Sequence, residues 1–231
     1  MKEVKKLFLR TMINELGYAE DNGFILDTPV TVGMNPQEFI DSSNLLFPKT
    51  LTDFYAQVSN LKVLWEIYES DENTKQFKED EYLIEKYFNN DYDWGVVKDF
   101  LTGFINITHS NDIFNPDFCK EQAYYYILKN KVENEDDFFP FDIQSDVTAC
   151  LKKETNSIID NIWLIHTSAE KVYDMKISLE EYLQLAYEAK CIHNWQLVYL
   201  FKDKIEEYQI MKRFLPKIFS HVTLNLSKFG I

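Results

Sequence analysis

Glycine and proline are scarce, six of each in 231 residues, which argues against a barrel or sandwich built on many tight turns. Cysteine is scarcer: Cys119, Cys150 and Cys191 are odd in number and follow no framework spacing, as suits a reducing cytoplasm. No apolar run approaches the roughly 18 residues that a membrane-spanning helix needs. Met1-Lys2-Glu3-Val4-Lys5-Lys6 leads into no apolar block, so no signal peptide is expected. A glycine-rich phosphate loop, an HExxH helix and a nucleophile elbow are all missing. These gaps exclude a disulfide-stapled secreted scaffold and leave no motif for a cofactor or metal, so neither is expected.

Aromatics and acids are what the chain has in quantity. Hydrophobic residues make up 45% and aromatics 16%, with 14 Tyr and 18 Phe, proportions that a disordered chain does not reach. The net charge of −14 is unevenly spread. Residues 1–65 hold 6 basic and 8 acidic groups, residues 66–146 hold 7 and 20, and residues 147–231 hold 11 and 10. Nearly all the excess therefore lies in the middle segment. Such a field repels nucleic acid and anionic lipid and speeds encounter with a basic partner. The plainer reading is a solvated acidic surface that serves solubility.

Apolar spacing predicts a mixture of helices and strands. Val4, Leu7, Phe8, Met12, Leu16 and Tyr18 suit a short helix stopped at Gly17 and the turn Asp21-Asn22-Gly23. Pro36 suits the first position of another. Residues 51–59 read as a helix capped by Thr50, with Leu51, Phe54, Tyr55 and Val58 on one face. Residues 61–68 read as the first strand, with Lys62 and Glu66 facing outward. A helix is expected over 79–88, a strand over 104–107, a loop over 111–118 and a helix over 120–129, with Ala123, Tyr124, Ile127 and Leu128 inward. The loop 89–95 alternates oxygens like a calcium loop. Its glycine stands one place late for an EF-hand, however, and no glutamate closes it.

The centre of the chain is 138–151. Ile143, Val147, Ala149 and Leu151 repeat every second residue, broken by Gln144-Ser145-Asp146, so a half-buried strand is reached through a tight polar turn. Ile162-Trp163-Leu164-Ile165 reads as its neighbour, with 152–161 as a polar hairpin loop. Residues 171–176 give a further short strand or turn. Ser178-Leu179-Glu180-Glu181 is a capping box, starting a helix that buries Leu179, Tyr182, Leu183 and Ala186. Residues 195–215 read as one long helix ending near Pro216.

Several of these pieces resemble the SUKH superfamily, which includes bacterial immunity proteins against secreted toxins and a yeast regulator of cell-wall glucan synthesis. They are Phe47-Pro48-Lys49-Thr50-Leu51-Thr52-Asp53-Phe54-Tyr55, Trp65-Glu66, the run from Phe139-Pro140-Phe141-Asp142 to Cys150-Leu151, Trp163 to His166, and Ile177-Ser178-Leu179-Glu180-Glu181-Tyr182-Leu183. The likeness covers roughly residues 40–190. The chain reads as one α+β domain over 1–231 with helical extensions at 1–40 and 191–231, end segments in which it departs from the family; the likeness implies the α+β fold. A single central, largely antiparallel sheet would be flanked by helices, with an extra C-terminal helix. Binding rather than catalysis is implied, either as an immunity protein masking a toxin or as a regulatory or scaffold protein in envelope metabolism.

Candidate chemistry is thin. Cys150 and His166 stand on strands expected to be neighbours, but a cysteine in an apolar strand is more often a small inert core group. Cys191 and His193 make a C-x-H pair with no second pair to complete a zinc site. The aromatics in acidic loops are the better lead. Tyr92 and Trp94 would anchor an interface, while Asp91, Asp93, Glu133, Glu135, Asp136 and Asp137 would steer a basic protein, a toxin domain above all. The alternative is that both aromatics fold back onto the sheet and the carboxylates line a solvated loop.

Overall fold

Seven strands, in chain order across the sheet, form one antiparallel array in a computed structural model that describes residues 5–23, 25, 30–33, 45–67, 79–80 and 101–231. The strands are β1 (Val30–Val32), β2 (Leu61–Glu66), β3 (Thr102–Ile107), β4 (Phe138–Ile143), β5 (Val147–Glu154), β6 (Ser157–His166) and β7 (Lys171–Asp174). With its flanking helices this is the α+β fold expected. The first strand is Val30–Val32 rather than the tryptophan strand, being too short to leave a periodic signal. The expected helix at Pro36, residues 81–88 of the expected helix over 79–88 and the loop 89–95 lie outside the described residues; Glu79 and Asp80, the described start of that helix, are a turn and irregular chain. The chain gathers into two compact units, each discontinuous: residues 1–10, 30–62 and 105–187, and residues 11–29, 63–104 and 188–231.

In the first unit, β4 to β7 are antiparallel neighbours in sequence order. The polar turn Gln144-Ser145-Asp146 closes with Gln144 N–H donating to the Val147 carbonyl at 3.0 Å. Its counterpart between β5 and β6 is only Thr155-Asn156, so the ten-residue loop expected at 152–161 is instead the ends of two strands. Thr155 takes φ 57° to make that turn. Lys152 is kept on the strand by packing: its ammonium lies 5.1 Å from the Trp163 ring centre and 5.8 Å from that of Phe138.

Each sheet face finds helices of its own. On one, Tyr124 and Leu128 pack on Phe138, Cys150 and Ile165. These helices are α3 (Pro116–Glu121) and α4 (Ala123–Leu128), where one helix over 120–129 was expected. Asn115 Oδ1 caps α3 by accepting from the Asp117 and Phe118 N–H groups, with Pro116 at the first helical position. Gln122 is then extended (φ −83°, ψ 144°) and separates the two. Ala123 is consequently exposed, not inward. On the other face, α5 (Leu179–Glu188) buries Leu179, Tyr182, Leu183 and Ala186 as expected. Its capping box forms: Glu181 N–H donates to Ser178 Oγ (3.2 Å) and Ser178 N–H to Glu181 Oε2 (3.1 Å). The helix α2 (Lys49–Tyr55) has the extended Pro48 at its N-cap rather than Thr50, and its Phe54 ring lies 5.6 Å from Phe141.

A β-bulge at Pro140–Asp142 gives this face its polar centre. Two consecutive residues reach α5 from the kinked strand: the Phe141 ring packs edge-on against Tyr182, and the Asp142 carboxylate accepts from the Tyr182 hydroxyl at 2.6 Å. Asp142 is fully buried and also accepts from Gln144 Nε2 and from the Asn106 N–H, both at 2.8 Å. Burial raises its pKa above the ordinary aspartate value, outweighing the three hydrogen bonds, which pull the other way.

In the second unit, Trp65 is the anchor. It is fully buried, donates Nε1–H to the Lys190 carbonyl at 2.6 Å and meets Phe219 edge-on at 5.6 Å. Its indole lies so close over Gly103 that a Cβ there would stand 1.9 Å from Nε1. The Lys190 ammonium, itself buried, pairs with Glu15 at 2.7 Å. Glu15 belongs to α1 (Ile13–Asp21), which runs through the expected stop at Gly17. It ends where the Asn22 side chain and N–H both donate to the Tyr18 carbonyl and Gly23 turns left-handed at φ 72°. The long C-terminal helix expected over 195–215 is two helices, α6 (Trp195–Phe201) and α7 (Glu206–Ile218). Lys202, at φ 54°, breaks the chain between them.

Candidate functional site

Two short helices cannot cover a sheet end completely. Between α3, α4 and the start of β4 lies a cavity of about 200 Å³ lined by Pro116, Cys119, Lys120, Tyr125, Asp136, Phe138 and Phe139. Its walls are mainly apolar, and Tyr125, Phe138 and Phe139 are the aromatic part of them. Phe139 is held by a ladder of rings, 4.7 Å from Phe114, which in turn lies 5.1 Å from Phe47. Phe138 meets Trp163 edge-on at 5.8 Å. Cys119 closes the inner end, its Sγ 3.6 Å from the Ile113 carbonyl, and burial pushes its thiol upward. A thiol so placed is an apolar wall, not a nucleophile.

Acid stands at the mouth. Glu135–Asp137 form one turn of 3₁₀ helix just before β4. Asp137 is tied to Lys153 of β5 at 2.9 Å, which pins the turn to the sheet. Asp136 is exposed and lines the cavity, with Oδ1 accepting from the Tyr125 hydroxyl at 2.9 Å. That hydrogen bond to the carboxylate pushes the Tyr125 phenol up to about 12. Glu133 is exposed and Glu135 half-buried on the approach. Tyr126, next along α4, is 65% exposed, a large amphipathic side chain of the type that interfaces favour.

The structure thus places Glu133, Glu135, Asp136 and Asp137 on one ledge and brings Asp136 against an aromatic pocket. Asp91, Tyr92, Asp93 and Trp94 lie outside the described residues. Sequence reasoning missed Tyr125, Phe139 and Cys119. The signal for the first was the run Tyr124-Tyr125-Tyr126, three aromatics that a helix cannot turn to one face.

Other candidate chemistry is not assembled. Cys150 stands opposite Trp163, and His166 opposite Val147. Three positions, about 10 Å along the strands, therefore separate them. Burial also pushes the Cys150 thiol well above its ordinary value. Among the described residues no group of three or more His, Cys, Asp or Glu could hold a metal ion. No helix among them is long and apolar enough to cross a membrane. No protein-family model, curated protein or solved structure matches the chain.

Proposed function

We propose that this chain is a non-enzymatic protein-binding module of the immunity type, acting in the cytoplasm to mask a basic toxin domain such as a nuclease. One observation carries the reading: the acidic ledge 133–137 borders an aromatic-lined pocket, so steering charge and a desolvated anchor site occur together. Carboxylates at a rim raise the rate of encounter with a cationic surface, and aromatics at the centre supply the residence time. The likeness to SUKH immunity proteins and the charge concentrated in 66–146 support the same reading.

The test is binding to the protein encoded beside this gene. A complex is expected at low salt whose association rate falls steeply as salt rises. Glu133→Lys with Asp136→Lys should slow association at least tenfold and leave the fold intact. Absence of any complex at low salt, or an association rate unchanged by the double substitution, overturns the proposal.

A further inference from the structure

The pocket's chemistry is more specific than an acidic surface. Its mouth carries one carboxylate, Asp136, and its walls are the rings of Tyr125, Phe138 and Phe139. Aromatic residues beside an anion suit a planar cation, because a π-face attracts positive charge and stacks on a flat group. The Tyr125 hydroxyl occupies one lone pair of Asp136 Oδ1 and fixes the carboxylate's direction. A carboxylate has about four such sites, so the pair of parallel N–H donors of a guanidinium can still be accepted. Lys120 is the opposing group: it lines the same cavity, and its exposed ammonium disfavours a cation inside. An exposed lysine can turn to solvent at little cost.

Building on the binding role proposed above, we infer that this pocket receives a single arginine side chain of the partner. The guanidinium stacks on Tyr125 and Phe139 and pairs with Asp136. The apolar depth near Cys119 and Phe138 covers the methylene stem. Arginine is preferred to lysine, since an ammonium neither stacks nor makes two parallel bonds to one carboxylate.

The experiment titrates the whole protein with N-acetyl-arginine amide and follows amide and aromatic NMR signals, with N-acetyl-norleucine amide as the neutral control. Saturable shifts are expected at Tyr125, Asp136 and Phe139 with arginine and not with norleucine. Asp136→Asn should weaken arginine by about tenfold or more, the loss of a charge-assisted pair, and Lys120→Ala should tighten it. Equal shifts with norleucine, or an affinity unchanged in both variants, overturn the inference. The two readings fail separately. Should arginine bind here while the neighbouring gene's product does not, the immunity role falls and the site stands; should that product bind wild type and Asp136→Asn alike, the site falls.

Discussion

Removing the Asp142 carboxylate tests whether the polar centre on the α5 face of the sheet holds that face together. Asp142→Ala leaves the Asn106 N–H, the Tyr182 hydroxyl and the Gln144 amide without the acceptor they now share. Each buried donor left alone costs roughly 1–3 kcal/mol. Relief of the buried charge offsets part of this, because burial already opposes the ionised form. A net loss of about 3 kcal/mol is expected, read as a fall in the urea midpoint at unchanged slope. Asp142→Asn should cost only about 1 kcal/mol: its carbonyl keeps the Asn106 bond at Oδ1, while the Tyr182 hydroxyl and the Gln144 amide can each reverse to accept from the new NH₂. The pH dependence follows from the same group. A carboxyl whose folded pKa is raised binds its proton more readily in the folded state. Its contribution is therefore present in full below the ordinary aspartate value and lost as pH rises through the folded one. Wild type should accordingly gain stability relative to Asp142→Asn as pH falls from neutral. An Asp142→Ala protein within 0.5 kcal/mol of wild type (the scale of an ordinary surface change), or a pH-independent difference from Asp142→Asn, would refute the reasoning.

Gly103→Ala should cost about 1–3 kcal/mol, the range for overpacking a filled core, and shift the Trp65 fluorescence, since the new methyl falls within the indole's space. In Asp136→Asn the Tyr125 phenol should titrate below its present value of about 12, moving towards about 10, as followed by ¹³Cζ NMR; a phenol that stays put would show that Asp136 is not the cause. Cys150 should resist a thiol reagent in native buffer and react on unfolding, being buried with its thiolate disfavoured; rapid native labelling would reopen the nucleophile reading.

Periodicity in the sequence was a good guide where one chemical preference decided the outcome. The apolar run in 143–151 marks β5, although Val147, Thr148, Ala149, Cys150 and Leu151 are all buried and the strand is not the half-buried one its alternation predicts. Ser178-Leu179-Glu180-Glu181 marks the start of α5, because capping acts locally there. Charge misled at 152–161. Lys152 and Lys153 are strand residues whose ammonium groups are satisfied by Trp163 and by Asp137, partners that only the folded sheet supplies. The breaks at Gln122 and Lys202 carry no proline or glycine, so tertiary packing sets them. The ledge was legible as a run of acids. Its pocket was not, since Cys119, Tyr125 and Phe139 converge from three separate elements.

The pairing of Glu15 with Lys190 spans 175 positions of sequence, and it has a consequence during synthesis. At about 5–20 residues per second, a ribosome needs roughly 9–35 s to deliver the second partner after the first. Residues 11–29 must wait through that interval for the part of their unit that 188–231 supplies, with only 63–104 made earlier. A stop near position 187 would leave Glu15 without the Lys190 ammonium and the unit without its last segment.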